Sequence, residues 1–206
     1  MKQLSTLSII LFISLLGTNA VAQSKKVLAE RFSVEAGAGY LIPISPDDGI
    51  SSSDYAGFRN FYVGANYELT DLWGLRFTYA NNSFQDKNDS SLGVTYHKLM
   101  AEGTFNVIEW IEMQRNPFEV IAHAGAGVSF AKSKLSSGVD KMGSFQVGVM
   151  PLYRITDNFS IHFDATYVIN VKQNYGYNGA QANVDGSHLT GEYFNMNLGV
   201  GVKFNF

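Results

Sequence analysis

The segment Gly191 to Phe206 alternates strictly. Phe194, Met196, Leu198, Val200, Val202, Phe204 and Phe206 fall on one face, and Asn195, Asn197, Gly199, Gly201, Lys203 and Asn205 on the other. A two-residue period held over this length specifies a long β-strand and excludes a helix. The pattern recurs upstream. Phe32, Val34, Ala36, Ala38, Tyr40 and Ile42 alternate with Ser33, Glu35, Gly37, Gly39 and Leu41. Phe61 to Leu69 and Trp73 to Tyr79 form a pair of the same kind, as do Phe145 to Ile155 and Phe159 to Ile169. Phe118 to Phe130 sets Val120, Ala122, Ala124, Ala126 and Val128 against Glu119, Ile121, His123, Gly125, Gly127 and Ser129. Leu92 to Phe105 is the least regular segment, with an apparent slip of phase near His97. The expectation is an all-β chain of eight antiparallel strands.

The connections alternate in length. Thr70-Asp71-Leu72 and Thr156-Asp157-Asn158 are tight polar turns, whereas the joins at about Pro43 to Gly57, Asn81 to Ser91, Ala131 to Lys141 and Asn170 to Thr190 are long and polar. Short turns at one end and long loops at the other are the pattern of an up-and-down barrel that spans an outer membrane. The middle turn, Asn106 to Pro117, breaks the rule. Its Val107, Ile108, Trp110, Ile111 and Met113 suit either a short interfacial helix anchored by Trp110 or a long irregular turn. Tyr67 to Phe77 also matches Tyr153 to Phe163 at a constant offset, each copy a strand, a Thr-Asp turn and a strand. Aromatics flank both turns, so Trp73 and Phe159 are expected at a membrane interface together with Trp110 and Phe206.

Which face meets lipid follows from volume. The interior of an eight-stranded barrel is only just wide enough for side chains to fill it. The last strand alone carries three Phe, one Met, one Leu and two Val on one face. Those side chains must point outward, leaving the Gly residues and charges in a narrow, polar, packed lumen. Only helices and closed barrels can span a bilayer, and no internal stretch reaches the ~18 uncharged apolar residues of a spanning helix.

The remaining composition is consistent with one membrane barrel. The chain has 206 residues with no Cys, which removes disulfide frameworks, thiolate metal sites and cysteine nucleophiles. Met1 to Ala22 has Lys2, an apolar run from Leu7 to Leu16 and Ala20-Val21-Ala22 before Gln23, the three parts of a secretory signal. The expected division is therefore a signal peptide over 1–22 and a barrel domain over 23–206. The formal charge of -3 gives no reason to expect nucleic acid or anionic lipid as a partner.

On the signal ending Ala20-Val21-Ala22, the mid-strand pairs Gly37/Gly39, Gly125/Gly127 and Gly199/Gly201, the two Thr-Asp turns and the terminal Phe206, the chain resembles the eight-stranded outer-membrane β-barrel family that includes the OmpA transmembrane domain and OmpX. The resemblance covers essentially all of the mature chain, through motifs generic to the architecture. It implies outer-membrane lipid as surroundings and the barrel-assembly machinery as the reader of the last strand. The chain departs from the full-length OmpA pattern in that it is expected to stop at the barrel without a periplasmic peptidoglycan-binding domain, so a cell-wall anchoring role is not expected.

Glu35, Glu68, Arg76, Glu102, Glu119, His123, His162, Asp164 and Lys203 share the inward parity. They form either an ion path or gate, or a network that plugs the tube, since buried charges must be paired; the plug is the expectation. His123 and His162 with Asp164 or Glu119 lack a compact metal-ligand spacing, and neither a metal nor a cofactor is expected. Ser160, His162 and Asp164 share a face but sit at two-residue steps on one strand with no oxyanion donor, so enzymatic activity is not expected. Asp47, Asp48, Ser51, Ser52, Ser53 and Asp54 are oxygen-rich without calcium-loop spacing. The longest loop, from Asn170 to Thr190, offers Tyr175 and Tyr177 as rigid aromatic binding contacts and is expected to project from a barrel that is stable without it. The leading reading is a structural or surface-binding barrel. A narrow channel or lateral conduit for small apolar molecules comes second, and a lipid-modifying enzyme third.

Overall fold

The structure, a computed structural model, describes residues 31–46, 51–111, 117–181 and 188–204. The expected signal segment, Asp47, Asp48, Met113 and Phe206 lie outside the described residues. Eight strands follow in order: β1 (Phe32–Ser45), β2 (Gly57–Glu68), β3 (Trp73–Gln85), β4 (Gly93–Asn106), β5 (Phe118–Ser133), β6 (Val139–Arg154), β7 (Phe159–Gln173) and β8 (Leu189–Lys203). Each pairs antiparallel with its sequence neighbour, and β1 closes on β8. Two single-turn helices, α1 (Ser52–Tyr55) and α2 (Val107–Trp110), sit in the connections.

The ladder from Val34 passes through Ala65, Phe77, Ala101, Ala126, Phe145, Ile169 and Glu192 and returns to β1 at Ser45. That is eleven residues beyond its start, and the bulge between Pro43 and Ser45 takes up one of them. A shear of ten on eight strands corresponds to a tilt of about 40° for ordinary strand spacings. Each residue then advances about 2.5 Å along the axis, so a strand of 14 residues such as β4 rises about 35 Å. This exceeds the ~25 Å apolar band of such barrels, and the surplus lies at the long-loop end.

The two tight turns close identically. Thr70 Oγ1 accepts from the Leu72 and Trp73 amides at 3.2 and 2.9 Å, and Thr156 Oγ1 from those of Asn158 and Phe159 at 3.3 and 3.0 Å. The sequence repeat is thus one turn chemistry used twice. At the third turn α2 is capped by Asn106, whose side chain accepts from the Glu109 amide.

Outside, the apolar faces are bare: Leu198 is 69% exposed and Val147 57%. An aromatic closes the short-turn end of every strand: Phe32, Tyr67, Trp73, Phe105, Phe118, Tyr153, Phe159 and, just past β8, Phe204. Trp73 packs on Phe105 at 4.7 Å and Phe105 on Trp110 at 6.0 Å, so α2 extends this girdle. A closed barrel with an exposed apolar belt of this height is a membrane-spanning one.

The expectation of a polar lumen throughout needs correction. At the long-loop end the interior gains an apolar and aromatic cluster, with Leu41, Phe84, Val94, Tyr96, Val168 and Tyr193 fully buried beside the equally buried Asn82, Asn170 and Gln173. Nor does β4 slip, since it keeps one unbroken register with both neighbours from Val94 to Phe105. Val94, Tyr96 and Met100 point inward while Thr95 and His97 point outward. Beyond the bilayer the outer face meets water and the inner face becomes an ordinary core, so polarity inverts while the pleat continues. For the same reason the strands run further than expected, and two of the loops shrink to residues 86–92 and 134–138.

Candidate functional site

Arg76 on β3 is the centre of the lumen. Its Nε donates to Glu35 Oε1 on β1 at 2.7 Å and its Nη2 to Asp164 Oδ2 on β7 at 2.8 Å, with Nη1 3.8 Å from Glu102 Oε2 on β4. In an eight-stranded tube β3 and β7 stand opposite, so the bonded side chains of Arg76 and Asp164 together bridge the full diameter. His123 on β5 fills the other side, Nδ1 at 2.6 Å from Glu102 Oε2 and Nε2 at 3.2 Å from Asp164 Oδ1. With a proton on each ring nitrogen, His123 donates to both carboxylates at once. Thr166 and Thr78 donate to Asp164 and Glu102 at 2.5 and 3.3 Å. His162 bonds the Tyr62 hydroxyl across the tube. Glycines make room for these rings: a Cβ on Gly148 would collide with His123 Nε2, and one on Gly199 with His162 Nε2.

The nine inward groups therefore divide. Glu35, Arg76, Glu102, His123 and Asp164 form one layer, with His162 beside it. The other three sit at the short-turn rim, Lys203 on Glu68 at 2.6 Å and Glu119 on Arg154 at 2.5 Å. A cavity of about 120 Å³ lies between rim and layer. Sequence reasoning missed Lys98, which donates to Gln146 at 2.7 Å and stands 5.5 Å from the Tyr193 ring centre. Its inward position was hidden by the apparent slip in β4. It also missed Arg154, whose parity opposite Tyr153 was legible. Ser160, His162 and Asp164 form no relay, for His162 is bonded to Tyr62 while Asp164 holds Arg76, His123 and Thr166.

Above the charges, the aromatic core closes the long-loop mouth. Tyr177 belongs to it. Expected as an exposed binding contact, it is completely buried, 4.5 Å from the Phe84 ring, with its hydroxyl donating to the Glu192 carbonyl at 2.7 Å. Tyr175 is half-buried, its hydroxyl 3.1 Å from Ser136 Oγ. The segment between Tyr175 and Gln181 folds back as a small hairpin, pinned by Gly93 donating to the Asn178 carbonyl at 2.9 Å and Ser133 Oγ to that of Gly179 at 2.6 Å. Gly179 has φ +83°, and a Cβ there would meet the Gly93 carbonyl. The described part of the loop therefore does not project freely, since the Tyr177 ring packs into the aromatic cluster in the mouth.

A closed eight-stranded barrel with short turns at one end, long loops at the other, paired aromatic and apolar belts outside and a charged lumen has the fold of the small outer-membrane β-barrels. The solved structures agree. The chain is similar to Neisserial surface protein A, at 18% identity over 84% of this chain and 97% of that one with a TM-score of 0.59. A major outer membrane protein from Thermus thermophilus matches at 14% identity, 84% and 98% coverage and a TM-score of 0.53. No family model and no curated protein matches the sequence.

Proposed function

We propose that the protein is a non-conducting outer-membrane barrel whose activity is binding at its extracellular end, without a catalytic step. The observation that carries this reading is the Arg76–Asp164 bond across the whole lumen, with the aromatic closure above it. With the tube filled, the surface offered outward is the crown of loops and strand ends, where Leu135 in the β5–β6 loop and Val139 at the start of β6 are more than half exposed. Apolar side chains exposed at this rim offer a contact to an apolar partner. The amphipathic last strand supports recognition by the barrel-assembly machinery. Planar-bilayer recordings of the purified protein should show no stable conductance steps; large, regular steps overturn the reading. Cells displaying the chain should lose adhesion to hydrocarbon-coated beads on Leu135→Asn with Val139→Asn.

One observation favours a second reading, lateral passage of small apolar molecules. The β6–β7 ladder runs to Val149 and Ala165 and resumes only at Leu152 and His162, interrupted by Pro151, which has no N–H to give. If this gap is an exit, a disulfide between Val149→Cys and Ala165→Cys should slow uptake of an apolar dye; unchanged uptake refutes it.

A further inference from the structure

The outer wall of the barrel is not uniform. Across β2 to β5 it carries a depression of about 600 Å³ floored by Ala65, Ala101 and Ala126 and flanked by Phe77, Leu99 and Val128. The small side chains fall in one row, because Ala65, Phe77, Ala101 and Ala126 are consecutive ladder partners. The row above contains Tyr79, and its hydroxyl bonds His97 Nδ1 at 2.8 Å. His97 and Asn81, facing lipid or its headgroups, are ladder partners and stand 3.4 Å apart.

The axial positions match one leaflet. Counting about 2.5 Å per residue, the depression lies within the apolar belt, and His97 lies at its long-loop edge, where polar side chains first replace apolar ones on the outer face. His97 pairs with Phe130, and Phe130 with Lys141; Thr95 pairs with Lys132. Lys132 and Lys141 are both exposed on this same face. Neighbouring strands are ~4.8 Å apart, so both ammonium groups can converge on a group held at His97.

We propose that this wall is a binding site for one anionic, phosphate-bearing lipid of the outer leaflet. An acyl chain lies in the alanine-floored depression, and the phosphate is held by Lys132 and Lys141 with His97 donating beside them. The net charge of the chain is negative, but recognition is decided by the local sign, and this patch is basic. A phosphate is the anion that suits two flexible point charges and a ring N–H at headgroup depth. The apolar groove beneath selects a lipid rather than a free ion.

The test is native mass spectrometry of the full protein released from nanodiscs containing equal amounts of phosphatidylglycerol and phosphatidylcholine with identical chains. The parent should retain phosphatidylglycerol about 30-fold over phosphatidylcholine, from about five-fold per lysine near a charged headgroup. Lys132→Gln with Lys141→Gln should abolish the preference, and Ala101→Trp, which fills the groove, should lower retention of both lipids. Heat-modifiable migration in SDS confirms that each variant is folded. The proposal is overturned if the double variant keeps the preference, if the parent holds both lipids equally, or if excess inorganic phosphate displaces the lipid. A dimer that buries the groove and excludes lipid overturns it as well.

Discussion

Removing the central cation measures how far the lumen depends on charge pairing. Arg76 is 2% exposed and contacts three carboxylates, two of them through hydrogen bonds of 2.7 and 2.8 Å. Arg76→Met keeps much of the volume and leaves Glu35, Glu102 and Asp164 within one layer. Deleting one partner of a buried pair typically costs about 3 to 5 kcal/mol, most of it from the charge left behind. His123 still faces Glu102 and Asp164, so the larger share falls on Glu35, whose remaining hydrogen-bond partner is Asn66 at 3.1 Å. A loss of about 3 kcal/mol is expected in reversible urea unfolding from lipid vesicles. Arg76→Lys should recover part of it, because one ammonium cannot reproduce the forked contact with Glu35 and Asp164. In a double-variant cycle with Asp164→Asn, the two losses should fall short of additivity by about 1 to 3 kcal/mol. A loss under about 1 kcal/mol for Arg76→Met refutes the argument, since it would mean that the carboxylates are hydrated rather than held by the guanidinium.

Three further outcomes are expected. Leu198→Arg, in the middle of the exposed belt, should cost about 2 to 4 kcal/mol in the same unfolding experiment, whereas less than about 0.5 kcal/mol would mean that this face does not meet hydrocarbon. Tyr177→Ala should cost about 3 kcal/mol and expose the mouth to protease, because the ring is fully buried against Phe84; unchanged stability would show that the hairpin is an ornament on a closed barrel. In the β3–β4 loop the Asn88 and Asp89 amides donate to Asp86 and hold its carboxyl below the ordinary carboxylate range, and Ser91 does the same for Asp89. A depressed folded value gives order that is present above the unfolded value and lost as pH falls through the folded one. Protection of the amides in residues 86–92, taken against their intrinsic exchange rates, should therefore hold at pH 5 and fall only below about pH 4; loss of protection already at pH 5 would contradict those bonds.

The strands, their inward faces and the aromatic rim could be read from the chain because a two-residue period needs no tertiary information. Parity alone placed Glu35, Arg76, Glu102, His123 and Asp164 on the inner wall. It could not say which of them meet. Glu68, Glu119 and Lys203 share that parity yet lie at the rim, because position along the axis depends on shear as well as on the pleat. Lys98 was lost for a different reason. Where Val94, Tyr96 and Met100 turn inward and Thr95 and His97 outward, polarity no longer reports side, and a lysine on the inner face looks out of phase. Tyr177 was misjudged because composition suggested a solvated binding loop, while nothing local in the sequence reveals that the mouth beneath is apolar.

These two failures have one physical origin. Inside the bilayer, lipid dictates the outer face and the lumen takes what remains, so polar groups such as Asp164 and Arg76 are confined together and must neutralise one another. Above the bilayer the solvent is water on the outside, and the cheapest interior is the apolar one of any soluble barrel. The chain changes regime within single strands: β4 runs from Glu102 in the charged layer to Tyr96 in the aromatic core, and β7 from Asp164 to Val168. Lys98 sits at the junction, donating to Gln146 below and lying against the Tyr193 ring above. Such a residue joins the two interiors, its ammonium satisfied by the polar layer and its stem and charge by the aromatic one. The lumen is therefore filled at two levels by different means, charge pairing at mid-membrane and ring packing at the mouth, with Lys98 bridging them.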